Sequence, residues 1–569
     1  MTSLRPRGSE ALTGSRARTG LGPGGRSVGP VLIALLFGAL LIPPVLSVLG
    51  AGVFDHGLLE WADRVRATVL RPSTFRSLRF SAGQATVSAL VSLLLALPGA
   101  FFLAKVRFPG KRLVQSLTLL PFVLPSLIVI LAVISFYGRS GVLGVLLQRS
   151  FGLDLTMVYS PVGIIIAHVM FNISVALRIL STGMLAIDDR YREVSLSLGE
   201  SRMARFRYLY LPLLLPSMLT AATIIFLYCF ISFGIVLIFG GVRYATLEVR
   251  IYQEMFTHLN LTAAGVLALL QIVVCGTAVY LLQRVSNRRR AVTKAGRRFR
   301  AYAWSEVSAA LRVTCFLYWL VILLFLFAPL LAIAVRSFRP GGEWSLLSYR
   351  ALFVGHIGDR NIAEIIRAGF PEVVLTSLQI ALVSAALSTT GAYAAARVLR
   401  GKHLAYLDTL FTLPLAVSSV TFSLGMRLLW FGTFSPFTLI LLTQSIMSFP
   451  LVFRGIRSTM ETLPIRYSES AESLGAGLVR RLFTLEIPLL WRGVVNSYIF
   501  AFSLSLADFS AVLTIGRGEI VTFPIAMYRL IGFQSFDVAL ALGVCYILVT
   551  LLAFLALDAT SYAREAQGL

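Results

Sequence analysis

The sequence predicts an all-α membrane protein of about twelve transmembrane helices, arranged as two homologous six-helix domains. Three observations predict it. The chain is 57% hydrophobic but only 14% charged, where a soluble protein carries roughly 25% charged residues. Long apolar stretches alternate with short loops, and Lys and Arg gather in every second loop. Finally, one charged loop is written twice. Tyr191, Glu193, Leu198, Gly199, Arg205, Pro212, Leu213 and Leu214 return without a gap, 276 residues later, as Tyr467, Glu469, Leu474, Gly475, Arg481, Pro488, Leu489 and Leu490.

A hydrocarbon core about 30 Å thick needs about 20 apolar residues per helix. Twelve stretches meet that length: 31–52, 80–104, 113–137, 159–185, 209–239, 262–284, 313–336, 371–398, 404–430, 435–457, 485–514 and 536–558. Orientation follows from the basic loops. Lys105, Arg107, Lys111 and Arg112 follow the second stretch, and Arg397, Arg400 and Lys402 follow the eighth. Between the halves, Arg284, Arg288, Arg289, Arg290, Lys294, Arg297, Arg298, Arg300 and Arg312 face a single acid, Glu306. These loops, both copies of the repeated loop and both termini therefore fall on one side, the cytoplasm. The opposite loops, 53–75 and 337–370, mix acidic with basic residues.

The expected organisation is a basic cytoplasmic tail at 1–30, a first transmembrane domain at 31–284 and a basic linker at 285–312. A second transmembrane domain at 313–558 and a short tail at 559–569 follow. The N-terminal Arg5, Arg7, Arg16, Arg18 and Arg26 precede an apolar run with Pro43 and Pro44 and no A-x-A site, which reads as an uncleaved first span rather than a signal peptide. Gly20, Gly22 and Gly25 have G-x-G-x-x-G spacing, but no βαβ pattern surrounds them, so no nucleotide site is assigned.

The net charge of +25 does not point to nucleic acid, because the basic residues lie in short loops between apolar spans. Cys229, Cys275, Cys315 and Cys545 all fall inside spans without C-x-x-C spacing, which supports neither disulfides nor a metal site.

The repeat runs beyond the loop. At the same offset Arg178 matches Arg454, Phe233 matches Phe509, Gly240 matches Gly516, Thr246 matches Thr522 and Tyr252 matches Tyr528. Further upstream the offset becomes about 292, pairing Gly99 with Gly391 and Ala104 with Ala396. The external loops after the third and ninth spans are expected to absorb the difference. Six spans per half give both halves one orientation, related by a pseudo-twofold axis along the membrane normal.

The two loops read YREVSLSLGESRMARFRYLYLP and YSESAESLGAGLVRRLFTLEIP. In each, Glu is followed six residues later by Gly, then by nine residues, then by aliphatic, any residue, aliphatic, Pro. This resembles the coupling loop of ABC importer permeases, E-A-A-x3-G-x9-I-x-L-P. The physics suits a docking knob: helix formers lead to a glycine that reverses the chain without a Cβ penalty. Pro212 and Pro488 sit near the start of the next span, where a missing N–H costs least.

The resemblance implies that Glu193, Gly199, Pro212, Glu469, Gly475 and Pro488 couple the chain to two copies of an ATP-hydrolysing subunit. The first copy has Glu-Val-Ser and the second Glu-Ser-Ala, so docking is expected to be asymmetric. No G-x-x-x-x-G-K-[ST] loop occurs in the chain, so it is read as a transport subunit and not an enzyme, with ATP held by the partner and no cofactor of its own.

Three polar positions within spans are candidates for the pathway. Asp508 is costly at that depth, and either senses a cation or makes a structural hydrogen bond; its repeat-mate is Ser232. His168 reads as a helix-packing donor in preference to a ligand. The stretches FYGRSG (136–141), AHVMFNIS (167–174), SFGIVLIFGG with TLEVRIYQEM (232–255) and DFSAVLTIG with TFPIAMYRLIG (508–532) resemble the fused permeases of thiamine importers.

Fused ferric-iron permeases share the general plan and are the alternative. Either resemblance implies an inner-membrane protein that receives a small solute from an external binding protein. A secondary transporter of twelve spans is the competing class, but it needs an ion relay within the spans. Here the repeated polar element is a loop.

Overall fold

A computed structural model describes residues 25–50, 53–152, 158–241, 243–287, 301–400 and 405–566. The basic tail before Gly25, the arginine-rich linker positions 288–300 and the last residues of the C-terminal tail lie outside the described residues. The described chain is almost wholly helical, with two minimal two-stranded sheets. Eleven helices are long and apolar enough to cross a membrane, or twelve if the bent pair 407–416 and 419–430 is one span.

Four of the expected spans are broken, and the breaks come in repeat-related pairs. The third divides into Lys111–Val123 and Ser126–Tyr137, with Leu124 and Pro125 extended between them. Pro125 forces this by denying the helical region to the residue before it. In the ninth, Val417 is extended, Ser418 caps the new helix through the Thr421 N–H, and the two pieces meet at 101°. The fifth and eleventh helices stop at Phe230 and Leu506; after a short break the chain resumes as Gly234–Phe239 and Ser510–Gly516.

The repeat is exact in burial. Every buried position of Pro161–Leu185 has a buried counterpart 276 residues on in Pro436–Glu461, from Gly163 and Leu439 to Met184 and Met460. Between Ser77 and Ala100, the buried face of Pro72–Lys105 recurs in Phe370–Val398 at an offset of 296. This corrects the offset of about 292: Ser88 corresponds to Ser384, and Gly99 to Ala395 rather than Gly391. A slip of four residues is one helical turn and preserves the face, so the small-residue pattern fits almost equally at both offsets. A duplicated hydrogen bond settles the register: the Leu247 N–H donates to Ser81 Oγ at 2.8 Å and the Phe523 N–H to Ser377 Oγ at 2.9 Å.

Most of the length difference lies where it was expected. The first half inserts the helix Val142–Phe151 between Tyr137 and Pro161, where the second half has only residues 431–435.

Each domain core is a small-residue interface. Ser81, Ala85, Ser88, Ala89, Ser92, Ala96 and Ala100 pack against Pro161–Leu185. Lipid removes the hydrophobic drive between helices, so close backbone approach supplies the contact energy instead. The halves also exchange their first helices. Gly25–Leu49 packs on Ser419–Trp430 of the second half, and Ala309–Ser337 packs on Ser126–Tyr137 of the first.

The helices from Leu211 and Ile487 run away from the repeated loops. The broken segments 231–260 and 507–535 therefore lie on the far side of the bundle. On the loop side, Tyr302–Ala303 of the linker pairs parallel with Val106–Arg107.

Candidate functional site

The two repeated loops adopt the same structure. Short helices Asp189–Ser197 and Ile465–Ser473 end at Gly199 (φ +72°) and Gly475 (φ +79°). In the first copy Glu200 N–H donates to Ser195 O and Gly199 N–H to Leu196 O; in the second Ala476 N–H donates to Ala471 O and Gly475 N–H to Glu472 O. That pair of bonds is the Schellman closure, which requires a left-handed residue at the glycine. Nothing lies within 4 Å of a Cβ built at either glycine, so backbone conformation, not space, demands the residue type.

Glu193 and Glu469 are exposed. Leu198 and Leu474 project beyond them, 75% and 87% exposed. Both copies thus present a bare leucine at the tip of the turn.

Pro212 and Pro488 are not at the start of a rod, as the sequence suggested. The helix resumes at Arg202 and Leu478 and passes through a wide π turn, Phe206–Tyr210 or Leu482–Glu486, before each proline. The N–H groups of Leu211 and Ile487 reach back five residues to Phe206 O and Leu482 O. A proline inside a helix collides with the carbonyl four residues back, and the wide turn accommodates the ring. Each loop thus leads through the π turn into a membrane-crossing helix.

Sequence reasoning marked Arg205 and Arg481 as repeated but gave them no role. They brace the loops. Arg205 donates from Nε to Ser195 Oγ at 3.0 Å and from its guanidinium to Glu200 O at 2.9 Å. Arg481 pairs with Glu472 at 2.6 Å. Lys105, buried at 2% exposure, joins Asp189 at 2.8 Å. In the second half Arg400 donates to Ser468 Oγ at 3.1 Å and Arg397 pairs with Glu486 at 2.7 Å. These bonds weld the loop side of Pro72–Lys105 and of the segment after Phe370 to the loops.

The three candidate pathway residues lie elsewhere. Asp508 and the second loop are at opposite ends of Ile487–Leu506, about 30 Å apart for a helix of this length. The half-buried Asp508 carboxylate accepts from Gln444 Nε2 at 3.1 Å and the Ala511 N–H at 3.2 Å, and Ser505 holds Gln444 in turn. It therefore stabilises the break between Leu506 and Ser510.

His168 is buried with Nδ1 3.3 Å from Ser88 Oγ, a packing contact between two helices, and its Nε2 has no hydrogen-bond partner among the described residues. His168 and Gln444 are repeat-mates, so the position that holds Asp508 in the second half is a histidine in the first. Ser232, the repeat-mate of Asp508, is half-buried beside Phe233.

The chain neighbours of Ser232 and Asp508 come together. Phe233 and Phe509 stack with ring centroids 5.8 Å apart at 23°. Tyr252 lies 5.2 Å from Phe233, and Tyr528 lies 5.1 Å from Phe509, at nearly equal tilts of 57° and 56°. On the far side of the bundle, Tyr252 and Phe256 line a cavity of 1090 Å³ whose wall also carries Arg360, Arg367, Arg517 and Arg529.

Two repeated six-helix units, a duplicated projecting loop rigidly joined to the bundle and a lined cavity at the opposite mouth define a membrane transport subunit. Residues 96–292 and 307–561 match the binding-protein-dependent transport system inner membrane component family, and the chain belongs to that family. It is a multi-pass inner-membrane permease of the ABC importer class. Over 488 residues it is 31% identical to the thiamine transport system permease protein ThiP of Escherichia coli K12, covering 83% of this chain and 88% of that protein. It is 29% identical over 494 residues to ThiP of Brucella suis, covering 84% and 87%. It is also 35% identical over 145 residues to the E. coli molybdenum transport system permease protein ModB, covering 22% and 63%.

Proposed function

We propose that this permease forms the path for thiamine or a close relative, delivered by an external binding protein and driven by two copies of a separate ATPase. The observation that carries the reading is similarity to thiamine permeases over more than four-fifths of the chain. The paired loops support the drive: Glu193, Gly199, Glu469 and Gly475 belong to two knobs of one shape, one for each ATPase, with Pro212 and Pro488 just past the π turn through which each knob joins its transmitting helix. The basic loops sit with the repeated loops, and by the positive-inside rule that side, with both termini, is assigned to the cytoplasm. ATP stays on the partner, and lipid surrounds the spans.

Thiamine carries a permanent positive charge. A carboxylate at Asp508 about 8 Å away lowers its barrier by about 2 kcal/mol at an effective dielectric of about 20. The aromatic pairs next to Asp508 favour a flat organic cation over a bare ferric ion, which needs several hard oxygen ligands.

The test is uptake by vesicles reconstituted with permease, ATPase and binding protein. ATP-dependent thiamine uptake that requires all three components supports the reading. Ferric-iron uptake without thiamine uptake replaces the substrate, and proton-driven uptake without ATP replaces the class. Unimpaired thiamine uptake by Asp508→Asn removes the charge argument alone.

A further inference from the structure

We propose that Phe233, Phe509, Tyr252 and Tyr528 form an aromatic closure on the pseudo-twofold axis that is also the first contact within the membrane for a flat aromatic cation. The cation's identity rests on the function proposed above; the closure does not.

Phe233 and Phe509 are repeat-mates, so their mutual contact must straddle the axis that relates the halves. Both are buried, at 4% and 3% exposure. Each sits in the break between a long helix and a short one, at the N-cap of the short helix. A Cβ built at Gly234 would stand 3.3 Å from the Phe509 ring, so that ring lies close against the backbone of the opposite half. Tyr252 and Tyr528 flank the stacked pair, each tilted against the phenylalanine of its own half.

Ordinary core packing does not account for the arrangement. Tyr252 lines the far-side cavity, and the half-buried Asp508 is the chain neighbour of Phe509. The rings therefore run in series from the lining of an open mouth across the contact between the halves.

The chemistry selects a class of solute. An aromatic face attracts a cation within about 6 Å of its centroid, and two such faces stack on a planar ring. The cavity holds Arg360, Arg367, Arg517 and Arg529 against Asp359 and Glu364. Two of these arginines are engaged, Arg529 by the carbonyls of Ile366 and Gly518 and Arg360 by Ser535. Such a rim disfavours a free cation arriving from solution. A cation released at the rings by a docked carrier passes the rim and meets its first favourable faces there.

The test uses the complete reconstituted assembly. Phe233→Ala with Phe509→Ala is expected to raise efflux of entrapped tetramethylammonium, without ATP, at least tenfold over the unmodified assembly; unchanged efflux overturns the closure. This arm needs no knowledge of the solute, so it remains decisive if the assembly proves not to carry thiamine. Phe233→Leu with Phe509→Leu retains apolar bulk but removes the rings. It is expected to stay tight and to unfold at the unmodified temperature, yet to take up thiamine about tenfold more slowly, equivalent to about 1.4 kcal/mol. Tyr252→Phe with Tyr528→Phe keeps the faces and is expected to hold uptake within twofold. Full-rate thiamine uptake by the leucine pair overturns the contact site.

Discussion

Ser418 of the second half donates a hydrogen bond of 2.6 Å to the carboxylate of Glu248 in the first. Both side chains are buried, at 2% and 1% exposure, and Gln271 donates to the same carboxylate at 2.6 Å. Ser418 is also the N-cap of Ser419–Trp430, the helix that follows the 101° bend. One carboxylate thus ties the end of a broken span to the opposite half.

Removing it should be costly, because the buried Gln271 amide would lose its acceptor and the Ser418 hydroxyl would keep only its bonds to Thr421. Glu248→Ala is expected to lose about 1–3 kcal/mol for the amide left unpaired. Glu248→Gln retains an acceptor and should lose clearly less. Thermal unfolding of the solubilised permease measures both; equal midpoints for the two variants would show that the bond holds nothing.

At the loops, Gly475 needs φ +79° and Gly199 needs φ +72°. An ordinary side chain there costs about 1–2 kcal/mol per residue in the left-handed region, and Asn costs least. Gly475→Arg should lower thiamine uptake and substrate-stimulated ATP hydrolysis together while the protein still accumulates in the membrane, and Gly475→Asn should retain more of both. Intact transport after substitution of both glycines would remove the coupling assignment.

These loops were legible in the sequence because their shape depends on local geometry. Helix, left-handed glycine and bracing arginine all lie within one short segment, and the segment occurs twice. The breaks at Leu124–Pro125 and Val417–Ser418 were not legible, since an apolar run does not record whether its pieces are collinear. Pro125 was the available signal; Ser418, a capping residue inside an apolar run, was the weaker one. The 292 offset failed for a related reason, as a shift of one turn leaves the small residues on one face.

The aromatic column was half visible. The matches of Phe233 with Phe509 and Tyr252 with Tyr528 were read, but that they meet follows only from how two domains close on each other. Asp508 drew attention as a charge in a span, and its bonds to Gln444 and Ala511 show a structural load that its sequence context did not reveal.

Topology is open to direct measurement. Asp359 belongs to the far-side cavity, whereas the linker near Arg290 belongs with the basic loops. In a cysteine-free background, a cysteine at Asp359 should react with an impermeant maleimide in intact cells, and one at Arg290 only after permeabilisation. Reaction of both from outside would reverse or break the proposed orientation.

Gly425 offers the sharpest test of the exchanged helices. It lies in Ser419–Trp430, where a Cβ would come 2.0 Å from the carbonyl oxygen of Pro44 in the first helix of the other half. Ser47 Oγ also donates to the Gly425 carbonyl at 3.3 Å. A methyl group there must push two backbones apart, and overpacking of this kind costs typically about 1–3 kcal/mol. Since the contact energy between helices in lipid comes from such close approach, the loss should fall on the union of the two halves. Gly425→Ala is therefore expected to lower the unfolding midpoint and to speed proteolysis between the domains. Gly83→Ala is the matched control: it is also in a helix interior, but nothing lies within 4 Å of its added Cβ. That substitution should be neutral or stabilising by up to about 1 kcal/mol. If both alanines behaved alike, helix propensity rather than the approach of Pro44 would govern Gly425, and the exchange of first helices would not be what holds the halves together.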